Sequence, residues 1–284
     1  MTNVRDSSAN PNGNKVIASG AVQSRGAMSE SSQIREAVQD HYNSVAERGA
    51  EAGCCGPADA GATCCGANES GLYDAEQIAA IPAEAAAASA GCGNPVAIGD
   101  LKPGETVIDF GSGGGIDCFL AAKMVGEEGR VVGIDMTIKM IELARENAKK
   151  VGADNVEFRL SPIEAIPMRD GEADVVISNC VLALVPDKSL VFDEAFRVLR
   201  PGGRMFISDM VTVGGLPAEI VNDPEQWVQC VAGAEDRDTY LKRIEDAGFS
   251  PVQVEEDVAL DVGDGTKWAG NVHSISLRAV KPAV

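Results

Sequence analysis

The side chains best equipped for chemistry in this sequence are thiols. The chain carries 8 Cys against only 2 His. Ser/His or Cys/His nucleophilic catalysis is therefore poorly supplied, and so is an imidazole-rich metal site. Cys54-Cys55 and Cys64-Cys65 are adjacent pairs in a Gly/Ala-rich stretch. Cys92 sits in AGCGNP, Cys180 in ISNCVLALVPDK and Cys230 in PEQWVQCVAGA. Cys118, on a helical pattern, reads as a small buried hydrophobe. Eight cysteines in 284 residues are too sparse for a disulfide scaffold. Soft thiolates without imidazole select soft, thiophilic centres. Zinc through four cysteines is the natural competitor, but zinc fingers space their ligands C-x-x-C, and none of these pairs does.

A second chemical signal is Asp109-Phe110-Gly111-Ser112-Gly113-Gly114-Gly115, which follows an apolar run and opens a helical one. Gly111 and Gly113 permit a tight turn and close approach of a ligand. Asp135 ends the next apolar run about 20 residues on, where its carboxylate accepts both hydroxyls of a ribose. A dinucleotide fingerprint wants Gly or Ala at position 116, which is Ile116. A nicotinamide reading is further weakened because no Tyr-x-x-x-Lys or His-centred hydride site is evident. Glycines serving only a strand-to-helix turn are the simplest alternative. G-x-G-x-G after an acidic residue resembles the S-adenosylmethionine loop of class I methyltransferases.

The elements that must position these groups follow from composition and period. With 45% hydrophobic residues the chain folds, and its formal net charge of −19 argues against nucleic acid or an anionic membrane as partner. The charge itself reads as a solubility or salt-adapted surface. Neither a secretory h-region nor an apolar membrane span is evident, so a cytoplasmic protein with reduced thiols is expected. Residues 1–30 read as a disordered leader, and 31–100 as N-terminal helices around the Cys-rich loop. Within this part a helix starts at Ser31, and a second, over 74–90, breaks at Pro82. Residues 101–284 alternate strands and helices: strands at 106–111, 130–136, 155–160, 173–179 and 204–210, helices at 115–126, 138–152 and 188–200. A helical region near 223–247 and two strand patterns, 250–260 and 271–280, follow. Near-continuous apolar strands separated by helices imply an α/β fold with a mostly parallel sheet covered on both faces. The pattern predicts a Rossmann-like, doubly wound, seven-stranded sheet whose last strand is antiparallel, with an N-terminal helical and loop extension. Asp187-Lys188 reads as a helix-start turn.

This topology brings the thiols to the cofactor edge. Cys180 stands at the carboxyl end of the fourth strand, Cys230 in the segment after the fifth, and Cys92 in a loop just ahead of the domain. Adjacent Cys pairs suit trivalent arsenic or redox exchange better than tetrahedral zinc. GSGGGIDCFLAA, VVGIDMT, SNCVLALVPDK, RVLRPGGR, the Trp-x-x-Cys-x-x-Gly-Ala stretch at 227–234, the CC loop and GCGNP together resemble the arsenite S-adenosylmethionine methyltransferases. The resemblance spans roughly residues 35 to 280, and the chain looks like the shorter microbial members.

The resemblance implies As(III) bound by Cys92, Cys180 and Cys230, with Cys54 or Cys55 as an N-terminal fourth. It implies S-adenosylmethionine as methyl donor, with Gly111, Ser112, Gly113 and Gly115 at its methionine and ribose portion and Asp109 anchoring the loop. Asp135 would take the ribose, Met136 would lie beside the adenine, Ile163 and Glu164 would contact adenine, and Asn179 would face the methionine end. Tyr42, on the first helix, would close over the cofactor, or else serve as a half-buried core tyrosine. The expected reaction is arsenic detoxification by methylation of As(III) or its thiol conjugates. Glutathione or thioredoxin would then return methylated arsenic to As(III). Arsenic is its own nucleophile, so the transfer step needs no base. Two rivals are a methyltransferase for another small nucleophile, which needs a base that the sequence does not show near Asn179, and a thiol metalloid sensor or store.

Overall fold

A computed structural model describes residues 30–48, 73–79, 81–89, 91–98, 100–260 and 269–283. Its first element, α1 (Glu30–Arg48), starts within a residue of the predicted position. The short helices α2 (Ala75–Ala79), α3 (Ala83–Ala87) and α4 (Pro95–Ile98) follow, with the break between α2 and α3 falling at Pro82. Proline lacks the N–H a helix interior requires, and here it flanks the start of α3 instead.

The domain then alternates β1 (Thr106–Phe110), α5 (Ile116–Val125), β2 (Arg130–Asp135), α6 (Ile138–Val151), β3 (Val156–Leu160), β4 (Ala173–Asn179), α7 (Lys188–Val198) and β5 (Leu199–Thr212). After β5 come α8 (Ala218–Val221), α9 (Pro224–Val228), β6 (Glu235–Asp236), α10 (Arg237–Asp246), β7 (Val252–Ala259) and β8 (Val272–Val280). The strand order is β3-β2-β1-β4-β5-β8-β7, with the two-residue β6 pairing β5 off this path. Strands β1 to β5 run parallel, and β8 is antiparallel to both β5 and β7. The seven long strands and the antiparallel last one are as the sequence predicts; β6 is an addition too short to leave a pattern.

Alternate residues of the central strands supply two separate cores. Ile108, Val132 and Val176 pack with Phe192 and Tyr240 on one face, while Val107, Val131 and Val175 pack with Phe119 and Ile141 on the other. Successive strand side chains point to opposite faces, so burial on both requires apolar residues throughout. The N-terminal extension shares these cores: Tyr73, Ile81, Ala85 and Val96 belong to the second.

The segment read as one helical region near 223–247 is two helices. α9 ends before Cys230, which adopts φ +63°, and a Cβ on Gly233 would lie 1.8 Å from the carbonyl oxygen of Ala183. That contact brings the turn down onto the segment just after β4, where Cys180 lies.

Candidate functional site

The carboxyl ends of β1, β2 and β4 open into a cleft of about 940 Å³, the space at its open mouth included. Gly111, Ser112 and Gly113 form one wall, and Asp135, Met136 and Thr137 continue it. The N–H groups of Gly111 and Ser112 both donate to the Ile134 carbonyl, at 2.8 and 2.9 Å. Asp135 ties the same loop down, accepting from the N–H of Gly113 at 2.9 Å and of Thr137 at 2.8 Å through different oxygens. Burial pushes its carboxyl above the usual range, against the pull of those two N–H donors. Each oxygen keeps lone-pair capacity for a ribose hydroxyl.

Ten residues assigned to the cofactor or the arsenic line this cleft: Tyr42, Gly111, Ser112, Gly113, Asp135, Met136, Ile163, Glu164, Asn179 and Cys180. Cys92 and Cys230 lie deeper, and Asp109 and Gly115 do not line it either. The Asp109 carboxylate lies behind the loop, where it accepts from the Cys118 thiol at 3.2 Å. Burial, and then the nearby Asp117 carboxylate, hold its carboxyl well above the usual range. Gly115 caps α5 at φ +96°, and a Cβ there would strike Phe119. Both support the loop from the side away from the cleft.

Sequence reasoning missed several lining residues. Asp117, in the first turn of α5, accepts from Tyr73 Oη at 2.8 Å and Asn179 Nδ2 at 3.1 Å. Burial raises its carboxyl to about 6 against those two donors. Asp117 is a carboxylate near Asn179 that the sequence pattern did not reveal, but both its oxygens already accept hydrogen bonds. From α1, Arg35 and Val38 line the cleft with Tyr42, and Arg35 donates to Glu164 Oε1 at 2.7 Å. Their i, i+3, i+7 spacing was the available signal.

Asn179 joins the cleft to the thiols. Its Oδ1 accepts from the N–H of Cys92 at 3.1 Å and of Gly93 at 3.3 Å, and its Nδ2 donates to the Gly93 carbonyl at 2.8 Å. The side chain preceding Cys180 thereby sets the position of Cys92. Ser274 Oγ donates to the Cys92 carbonyl at 2.9 Å, and Cys230 Sγ donates to the Cys180 carbonyl at 3.2 Å. All three thiols are buried in one cluster with Val38, Leu184, Met210 and Val231. Cys180 adopts φ +57°, as Cys230 does +63°. A left-handed backbone at a residue with a Cβ costs about 1 kcal/mol or more, so the surrounding structure holds both in place. The Cys180 thiol is raised well above its ordinary range by its hydrogen bonds to Cys230 and Cys92, and further by burial. For Cys92 the hydrogen bond from Cys180 pulls down, but burial and the nearby Asp209 outweigh it. Cys54 and Cys55 lie outside the described residues.

Residues 101–248 match the family model described as a methyltransferase domain. The chain is 45% identical over 235 residues to the arsenite methyltransferase of Halobacterium salinarum, covering 78% of this chain and 59% of that one. A second arsenite methyltransferase, from Aquipseudomonas alcaligenes, is 31% identical over 81% of this chain and 66% of its own. The crystal structure of CrArsM, an arsenic(III) S-adenosylmethionine methyltransferase from Chlamydomonas reinhardtii, superposes with a TM-score of 0.61 at 32% identity. That match covers 75% of this chain and 71% of the other. The chain belongs to the arsenite methyltransferase family. It spans about three fifths to two thirds of the length of these two curated relatives. As a family member it carries the mostly parallel sheet of S-adenosylmethionine-dependent methyltransferases.

The residues present fit the family's methyl donor. Ser112 Oγ is buried without a partner at the loop, and a Cβ on Gly113 would meet nothing within 4 Å. A buried, unpaired hydroxyl in the wall of a cleft suits a polar ligand atom. No helix among the described residues is long and apolar enough to cross a membrane.

Proposed function

We propose that this chain methylates As(III), using Cys92, Cys180 and Cys230 to hold the substrate and the adjoining cleft to hold S-adenosylmethionine. The observation that carries the reading is the convergence of three buried thiols, from three separate segments, at the cleft's inner end through Cys180. Bound S-adenosylmethionine supplies an electrophilic methyl group on a sulfonium sulfur. Gly111 to Gly113 would cradle its amino-acid and ribose portion, Asp135 would accept from the ribose, and Met136, Ile163 and Glu164 would flank the adenine. Asn179 acts by fixing the Cys92 loop and Asp117. Asp109 and Gly115 support the loop.

Three thiolates hold As(III) as a pyramid whose lone pair is free, so the substrate is the nucleophile. The apolar shell of Val38, Leu184 and Met210 excludes water from that centre. The thiols bind arsenic by exchange, each sulfur replacing an oxygen or thiol ligand that leaves with the proton. The electron pair used in transfer leaves arsenic formally As(V). A thiol reductant, glutathione or thioredoxin, would restore As(III) in the compartment proposed, the cytoplasm. Residues 101–284 would act as the transferase domain.

The test is incubation of reduced protein with S-adenosylmethionine, As(III) and a thiol, with arsenic species separated by chromatography. Methylated arsenic is expected from wild type, falling at least a hundredfold in Cys180→Ser and Cys230→Ser. Absence of methylated arsenic with active, reduced protein overturns the activity. Wild-type rates in both variants overturn the thiolate pyramid.

A further inference from the structure

Behind the thiols lies a carboxylate that methyl transfer does not use. Asp209 is fully buried on β5, beside Ser208, whose carbonyl accepts from the Cys180 N–H at 2.8 Å. One Asp209 oxygen and the sulfurs of Cys92 and Cys180 all lie within 4.8 Å of one another. Tyr240 Oη donates to Oδ2 at 3.0 Å and the Met210 N–H to Oδ1 at 2.8 Å, so the carboxylate is held in place. Cys230 Sγ lies beside this group, donating to the Cys180 carbonyl at 3.2 Å. Cys180 lines the cleft, whereas Asp209, Cys92 and Cys230 do not. The carboxylate thus stands on the inner side of the thiols.

Arsenic(III) on three thiolates fills its fourth tetrahedral position with a lone pair and has no use for a fourth donor. A divalent closed-shell cation does, and mixed thiolate and carboxylate ligands suit it. Bond lengths of about 2.0–2.3 Å place neighbouring donors of a tetrahedral site roughly 3.5 Å apart. For Cys92, Cys180 and Asp209 the present spacing needs closure of up to about 1 Å, and Cys230, which lies outside that group, must turn further to complete the site. The Tyr240 hydroxyl and Met210 N–H would orient the ligating carboxylate from outside. Buried Lys188 is in electrostatic reach of both Asp209 and Cys230 and offsets part of the site's negative charge.

We propose that Cys92, Cys180, Cys230 and Asp209 form a binding site for a divalent thiophilic cation, zinc or cadmium, that overlaps the arsenic site. Binding releases the thiol protons to solvent, and no redox step is involved. The site stands on its own geometry, and only its consequence, competition with As(III), rests on the proposed function.

Titration of the reduced, full-length protein with Cd2+ tests it. A sulfur-to-cadmium charge-transfer band is expected, together with a 113Cd resonance in the mixed sulfur–oxygen range that Cys180→Ser removes. Asp209→Asn keeps the acceptor for Tyr240. It is expected to weaken Cd2+ at least tenfold, and As(III) no more than threefold. Equal Cd2+ affinities in wild type and Asp209→Asn overturn the proposal. So does an all-sulfur 113Cd resonance in wild type, a measurement that needs no variant to fold. Cd2+ binding without As(III) binding leaves the cation site standing and removes the proposed function.

Discussion

At Gly113 the backbone takes φ +49° and the Cα faces open cleft, whereas at Gly111 (φ +77°) a Cβ would lie 2.4 Å from Val181. The two positions therefore separate ligand contact from packing. Gly113→Ala meets only the left-handed backbone cost, about 1 kcal/mol, a fall in Tm of a few degrees. Its methyl group projects into the donor's space, so affinity for S-adenosylhomocysteine is expected to drop at least tenfold by calorimetry. Gly111→Ala should lose both affinity and several further degrees. Equal affinity in Gly113→Ala and wild type would place the cofactor elsewhere. Asp117 carries a pH signature. Burial holds its folded carboxyl near 6, above the unfolded value of about 4. Between those values the fold retains a proton that the unfolded chain has lost, so stability falls as pH rises through the window and stays lower above it. The deficit is on the order of 3 kcal/mol at neutral pH. Asp209, also pushed up to about 6 by burial, titrates in the same window, so the part owed to Asp117 is the difference between wild type and Asp117→Asn; Glu157, held near 2 by Arg159 and Arg130, changes outside it. Tm is expected to fall between about pH 4.5 and 6.5, and Asp117→Asn to be flatter there; parallel profiles would count against the assignment. Cys180 and the glycine loop were legible because residue type and local spacing carry their meaning. Asp117, Tyr73 and Asp209 were not, since only the packed sheet brings residues so far apart in sequence together.

The element that completes the cleft is α1. Val38 and Tyr42 line the cleft, Gln39 Nε2 donates to the Met136 carbonyl at 3.1 Å, and Arg35 reaches Glu164. The Arg35–Glu164 pair is half exposed on the arginine side and contributes under about 1 kcal/mol. Apolar burial of Val38, 1% exposed, stabilises the docked helix more. A charge there costs several kcal/mol, more than one docked helix can supply. Val38→Asp is thus expected to undock α1 while the sheet still unfolds cooperatively. Donor affinity should fall at least tenfold and proteolysis within residues 30–48 should speed up, with Tm lowered by only a few degrees. Unchanged affinity would show that α1 is no part of the binding wall. Strands and long helices were legible because both sheet faces demand apolar runs. The split between α9 and α10 was not, because the close approach of Gly233 to Ala183 carries no local signal.

For the molecule as a whole, the charge of −19 is the property not tied to the chemistry. Ion pairs such as Arg237–Asp257 and Arg130–Glu157 lie at the surface and each gives up at most about 1 kcal/mol when screened. The excess of like charge acts in the other direction, because folding brings it into a smaller volume. The screening length shrinks from about 10 Å at 0.1 M to about 3 Å at 1 M salt, so repulsion between carboxylates beyond nearest neighbours is the part removed. The buried Arg204–Glu105 pair, bidentate at 2.7 and 2.8 Å, is little affected. Repulsion among 43 acidic groups against 24 basic ones therefore decides the sign. Tm is expected to rise by several degrees between about 0.1 and 1 M NaCl, steepest at the low end where the screening length changes most. An uncharged osmolyte separates this from solute exclusion, which strengthens burial without screening. A flat NaCl response beside a rising sucrose response would mean that the acidic surface bears on solubility alone.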